Sequence, residues 1–181
     1  CAPSFVVYDP VMISTSGHRL IDNNTIEIIE NELIPFSSLI TPNLHEAEAL
    51  LRRKINGISA MKIAAQELAL RYQTNVLIKG GHLDGDYMCD ILACVDGEIQ
   101  EFTDHRIPTR NLHGTGCTLS SAIATYMAKS IVFENDMSEQ ALISSITQAK
   151  HYVTSAIQLG STRNIGKGNG PLWHLISRHD S

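Results

Sequence analysis

The sequence predicts an α/β fold in three layers, a mostly parallel central sheet with helices on both faces. Three observations predict it. Short, wholly apolar runs alternate with longer stretches of helical period, the pattern of buried parallel strands joined by crossover helices. Each apolar run stops at polar or turn residues: Asp9-Pro10, Thr41-Pro42-Asn43 and Lys79-Gly80-Gly81. One stretch, 87–102, breaks the alternation with the Asp-Gly signature of a tight hairpin at Val95-Asp96-Gly97-Glu98. A chain of 181 residues with no repeat, low-complexity tract or linker is expected to form one domain, 1–181.

The elements follow in order. Phe5 to Tyr8 is the first strand, and a chain that enters a buried strand almost at its first residue, Cys1, suggests further sequence upstream. Asp22 to Leu33 places Ile26, Ile29 and Leu33 at helical spacing. Leu39-Ile40 is the second strand, and a helix covers Leu44 to Arg52. Ser59 reads as the N-cap of the next helix, with Ile63, Ala64, Leu68 and Ala69 on its apolar stripe. Val76-Leu77-Ile78 is the third strand, and the hairpin follows, with Cys89 and Cys94 packed in or near it. Gly114-Thr115-Gly116 opens a helix carrying Leu119, Ile123, Tyr126 and Met127 on one face. The last long helix runs from Ser138 to Leu159, with Leu142, Ile146, Ala149, Val153 and Ala156 spaced by three and four. Gly166 to Pro171 is a loop, with Trp173 packing the tail.

Composition narrows the function classes. Hydrophobic residues make up 43% and charged residues 18%, which excludes a disordered chain. Fourteen Lys and Arg stand against nineteen Asp and Glu, and the net charge of -5 with no basic run argues against nucleic-acid binding. No apolar run reaches the length of a membrane span. Four cysteines without CxxC or zinc spacing point to free thiols and a cytoplasmic setting.

In doubly wound folds ligands sit at the carboxyl ends of the strands, and here those ends carry Asp9, Asn43 and Lys79. The strongest single signal is Asn111-Leu112-His113-Gly114-Thr115-Gly116-Cys117-Thr118. Two glycines flank a threonine where a loop becomes a helix, so the backbone can approach a ligand and the free amides favour an anion. Cys117 falls in the first turn, where helix ends favour thiolate. The structural reading of the same residues is a glycine-rich helix start with a small apolar side chain behind it. Lys79, just past a strand, would reach a phosphate as a point charge, with Gly80 and Gly81 clearing space for a nucleotide; otherwise it is a surface lysine before a turn. Asn43 with Glu46 approximates a capping box, or else holds water around a magnesium ion bridging phosphates. Asp9 is a strand-end turn residue or a carboxylate near that metal.

In this order the pieces resemble the ribokinase-like superfamily, and within it the hydroxymethylpyrimidine kinase / phosphomethylpyrimidine kinase family of thiamine biosynthesis. The residues that carry the resemblance are Asp9-Pro10-Val11-Met12 with Thr15-Ser16-Gly17, Thr41-Pro42-Asn43-Leu44 with Glu46-Ala47, Ile78 to His82, Thr109 to Ile123, and Gly166 to Pro171 with His174. The resemblance implies that Gly114, Thr115 and Gly116 form an anion hole and that Cys117 occupies the catalytic-base position. It implies that Lys79, Gly80 and Gly81 line an ATP site with Asn43, and that Glu46 and Asp9 serve magnesium. Leu112 stands where the family pattern has Thr. The implied reaction is ATP-dependent phosphorylation of hydroxymethylpyrimidine and then of its monophosphate, by a homodimer when full length. Two alternatives are a pyridoxal kinase of the same superfamily and a non-catalytic nucleotide-binding fragment. The family's first strand and its Gly/Ser-rich loop have no counterpart here, so the chain corresponds to the C-terminal portion of such a kinase. On its own it is expected either to aggregate or to bind nucleotide weakly, and not to phosphorylate hydroxymethylpyrimidine.

Overall fold

A strand of two residues, β1 (Val7–Tyr8), begins a five-stranded sheet that continues through β2 (Leu39–Ile40), β3 (Asn75–Ile78), β4 (Tyr87–Ala93) and β5 (Ile99–His105) in that spatial order. This computed structural model describes residues 3–12, 20–81, 86–163 and 167–175. They fall into two compact units, Cys1–His105 and Arg106–Ser181.

The first unit is an α/β sheet of mixed direction. β1, β2 and β3 are parallel, with Val7 opposite Leu39 and Ile40 opposite Val76. β4 runs antiparallel to β3, and β5 to β4, so the expected hairpin forms the antiparallel edge. Its turn closes where Cys94 N–H donates to the Glu98 carbonyl at 2.9 Å, with Gly97 at φ 100°. Glycine adopts that conformation without the clash a side chain would suffer. Cys89 and Cys94 are both buried there, as expected.

Two helical segments depart from simple periodicity. Helix α1 (Asn23–Ile28) is capped by Asp22, whose carboxylate accepts the Thr25 N–H at 2.8 Å. The chain then widens into a π-turn over Ile29–Leu33, and the Ile34 N–H reaches back to the Ile29 carbonyl. That wider turn advances the buried face by one residue, so Ile34 is fully buried and the expected Leu33 is 47% exposed. Helix α2 (Leu44–Leu51) begins at Asn43 and ends at Arg52 in left-handed conformation. Helix α3 (Gly57–Tyr72) begins two residues before the expected Ser59 cap. Its buried face is Met61, Ala64, Ala65, Leu68 and Ala69, while Ile63 is exposed. The stripe is centred on the 61/65/68 row, and Ile63 lies on the opposite face of the helix. These residues join Ile40, Val76, Ile78 and Ile91 in one apolar core.

The second unit is built on two helices that pack together, α4 (Thr115–Lys129) and α5 (Glu139–Gly160). Leu119, Ile123 and Met127 are buried on α4, and Leu142, Ile146, Ala149, Val153 and Ala156 on α5. Tyr126, expected on the buried face of α4, is half-buried. Ser138 caps α5 by accepting the Ala141 N–H at 3.2 Å. The tail returns along α5, where the Trp173 N–H meets the Ala156 carbonyl at 3.1 Å and Arg163 lies 3.5 Å over the indole.

Candidate active site

Sheet topology brings the predicted residues of the first unit together. β1, β2 and β3 are parallel neighbours, so their carboxyl ends present Asp9, the 41–43 segment and Lys79 side by side. The Lys79 N–H donates to the Pro42 carbonyl at 2.9 Å, and Asn43 and Lys79 form a parallel bridge beyond the strands proper. The Lys79 ammonium lies 2.7 Å from Asp9 Oδ1. The Thr41 hydroxyl donates to the same oxygen at 3.1 Å. Both charged side chains are largely but not wholly buried, at 16% and 12% side-chain exposure. Lys79 is therefore a held lysine with a defined direction, not a loose surface one.

Asn43 and Glu46 form a complete capping box. Asn43 Oδ1 accepts the Glu46 N–H at 2.9 Å, and Glu46 Oε2 accepts the Asn43 N–H at 2.7 Å. Glu46 Oε1 accepts the Met12 N–H at 3.3 Å and so ties the segment after Asp9 to the start of α2. Burial pushes the Glu46 carboxyl above the usual carboxylate range; the Asn43 N–H and then the Lys79 ammonium pull it back, while the Asp9 charge adds to the rise. Burial likewise raises the Tyr8 hydroxyl, helped by the Asp9 and Glu46 charges. With both oxygens engaged by backbone amides and 2% of the residue exposed, Glu46 serves first as a cap. Asp9 fits a divalent cation better, because its Oδ2 has no partner among the described residues. Magnesium keeps several waters and takes one or two carboxylates with its phosphates, which a carboxylate with one unengaged oxygen suits.

The two glycines after Lys79 separate. A Cβ on Gly80 would stand 1.8 Å from the Cys89 carbonyl oxygen, so glycine is required there by the approach of β4. Its N–H donates to Asp90 Oδ1 at 2.8 Å. Gly80 thus fixes the turn from the β4 side, whereas Gly81 has space and half-exposure consistent with a ligand-facing position.

In the second unit Gly114 is the N-cap of α4 at φ 87°, as the Gly-Thr-Gly pattern predicts. The Thr115 N–H and hydroxyl both turn back to the Leu112 carbonyl, at 3.3 and 2.7 Å. Among the described residues no acceptor meets the N–H groups of Gly116 and Cys117. The Gly114 N–H likewise meets none, so of the amides expected to face an anion only that of Thr115 is engaged. Cys117 is exposed at that helix start. Asn111 anchors the preceding loop, its side-chain amide donating to the carbonyls of Gly160 at 2.6 Å and Arg163 at 2.7 Å. Gly170 must be glycine to pass it, since a Cβ would lie 2.1 Å from Asn111 Oδ1. An open groove of about 530 Å³ runs from Cys117 along α4 to Lys129, closed at its side by Tyr152 and His174.

Sequence spacing alone does not point to Thr41, Asp90 or Asn111 in these roles. Asp90 had a signal, an acid inside the apolar run Met88 to Cys94. Thr15-Ser16-Gly17, His82 and Gly166 lie outside the described residues.

Residues 2–173 match the family model described as phosphomethylpyrimidine kinase. The chain belongs to the phosphomethylpyrimidine kinase family. The thiamine biosynthesis bifunctional protein ThiED of Geobacter sulfurreducens is 40% identical over 176 residues, 97% of this chain and 33% of that protein. The hydroxymethylpyrimidine/phosphomethylpyrimidine kinase of Rhizobium meliloti is 39% identical over 171 residues, 93% of this chain and 60% of that one. Among solved structures, phosphomethylpyrimidine kinase from Clostridium difficile superposes with a TM-score of 0.67 at 35% identity, over 86% of this chain and 58% of that one. Pyridoxal kinase from Staphylococcus aureus in complex with AMP-PCP gives 0.79 at 29% identity, over 94% and 58%. The chain spans 60% or less of the length of these relatives. The expectations of an α/β fold and of membership in this kinase family are both met.

Proposed function

We propose that this chain supplies the nucleotide-handling and phosphoryl-transfer groups of an ATP-dependent kinase acting on hydroxymethylpyrimidine and its monophosphate. The observation that carries the reading is the gathering of Asp9, Asn43 and Lys79 at the carboxyl ends of three adjacent parallel strands. It is where an α/β sheet binds ligands, and it joins a fixed cation to a carboxylate with one oxygen unengaged among the described residues. Sequence identity of 39–40% to pyrimidine kinases and ThiED supports the pyrimidine as substrate.

In this reading residues 1–181 act as the C-terminal portion of one kinase domain. Lys79 binds phosphate oxygens of ATP, and Asp9 would hold magnesium, which would neutralise phosphate charge when bound. The Gly114, Gly116 and Cys117 amides stabilise charge on the transferring phosphoryl group. Such transition states spread charge over the phosphoryl oxygens, so positioned donors matter, each worth about 2.7–4 kcal/mol in comparable holes. The substrate hydroxyl oxygen attacks the γ-phosphorus, the bond to the ADP oxygen breaks, and Cys117, as its thiolate, takes the hydroxyl proton and becomes the thiol. The setting is cytoplasmic, and no described helix is long and apolar enough to cross a membrane. The full-length protein works as a homodimer.

Pyridoxal is the second reading, favoured by the higher TM-score of the pyridoxal kinase than of the phosphomethylpyrimidine kinase. The test is ADP release with ATP and magnesium in the protein extended to its relatives' length, with hydroxymethylpyrimidine and pyridoxal offered in parallel. Faster turnover of the pyrimidine supports the proposal. Faster turnover of pyridoxal selects the alternative, and nucleotide binding without turnover of either marks a non-catalytic protein.

A further inference from the structure

Thr41 is fully buried, yet its hydroxyl is neither in the apolar core nor spent on its own backbone. Its N–H joins the Tyr8 carbonyl at 3.0 Å, which fixes the residue against β1. The hydroxyl then donates to Asp9 Oδ1 at 3.1 Å, the oxygen that also receives the Lys79 ammonium at 2.7 Å. An aspartate side chain has two torsions, and one contact from a flexible lysine, at 2.7 Å to Oδ1, leaves room for the carboxylate to turn about that oxygen. A hydroxyl held by a buried strand end supplies the missing constraint. With Oδ1 taken by Thr41 and Lys79, Oδ2 is the oxygen left without a partner among the described residues.

We propose that Thr41 is a positioning residue: its hydroxyl sets the orientation of the Asp9 carboxylate, and through it the place of the Lys79 ammonium at the strand ends. The inference rests on the proposed nucleotide role of Lys79 for its purpose, but the arrangement itself concerns the chain without nucleotide. Removing the hydroxyl frees Asp9 to turn, and Lys79 spends more time unpaired and open to solvent. Ser keeps the hydroxyl and loses only the methyl group.

The experiment compares the 181-residue chain with its Thr41→Val and Thr41→Ser variants. The rate of reductive methylation at Lys79 is read by peptide mass spectrometry, without nucleotide. Magnesium–AMP-PCP binding is titrated in parallel. The expected result is a rise of roughly threefold in Lys79 methylation for Thr41→Val, the scale of a loosened, partly exposed ion pair, with the wild-type rate restored by Thr41→Ser. AMP-PCP binding weakens in Thr41→Val and recovers in Thr41→Ser. An unchanged Lys79 rate in folded Thr41→Val overturns the proposal, and so does an equal rise in both variants, which assigns the effect to packing. If Thr41→Val does not fold, Thr41→Ala takes its place with the same criteria. Failure of the wild-type chain to bind AMP-PCP counts against the nucleotide reading alone, because the methylation rates still decide the role of Thr41.

Discussion

An alanine at Gly80 would put its Cβ 1.8 Å from the Cys89 carbonyl oxygen, whereas one at Gly81 would meet nothing nearer than the Met88 sulfur at 3.9 Å. Backbone cannot yield as a flexible side chain can, so Gly80→Ala is expected to cost about 1–3 kcal/mol, as overpacking does. Gly81→Ala should stay within about 0.5 kcal/mol. Urea unfolding of the two variants checks this, and equal costs would mean that β4 does not set the turn. Cys117 is exposed while Cys89 and Cys94 are buried, so a thiol-alkylating reagent should label Cys117 first, and ATP should slow it. Equal labelling of all three, unaffected by nucleotide, would remove the case for a special thiol. Glu46 gives a pH dependence of less usual sign. Burial raises its folded-state pKa above the unfolded value, so the folded chain binds that proton more tightly. Its stabilising contribution is full below the ordinary carboxylate range and is lost as pH rises through the folded value. Between about pH 4 and pH 7, the wild type should lose stability relative to Glu46→Gln. A relative gain over that range would show that the hydrogen bonds to the carboxylate outweigh its burial.

Among the elements, the segment after α1 offers the sharpest contrast. Ile34 is fully buried and Leu33 half-exposed because the π-turn adds one residue to the repeat. Truncating Ile34 to Ala should cost about 2–5 kcal/mol, and truncating Leu33 less than about 0.5 kcal/mol. Denaturant midpoints of both variants test the register, and the reverse order would restore an unbroken helix. The same segment marks where sequence reading stopped. A period of 3.6 carries a helix forward only while its hydrogen bonds stay regular, and nothing in Ile29 to Leu33 announces the wider turn. Ile63 misled for a related reason: a single branched apolar residue outweighed the Met61/Ala65/Leu68 row that the core selects. By contrast, α4, α5, the hairpin and the Asn43–Glu46 box were legible, because each is specified by neighbours within a few residues.

Across the whole molecule the same division holds between local and distant information. Lys79, Asp9 and Asn43 were legible as strand-end residues from the alternation of apolar runs and turns. That Lys79 meets Asp9, seventy residues away, and that Thr41 joins them were not, since those contacts depend on β1, β2 and β3 being neighbours. Nor could spacing reveal that Glu46 spends both oxygens on backbone amides. The central claim is that the strand ends of the first unit hold nucleotide phosphate through Lys79. Calorimetric titration of magnesium–AMP-PCP into the chain and into Lys79→Ala tests it most directly, with circular dichroism to show that both are folded. A phosphate contact from a positioned cation is worth about 1.4 kcal/mol or more, so the variant should bind at least about tenfold more weakly. Equal affinity of the two folded proteins for AMP-PCP would contradict the account.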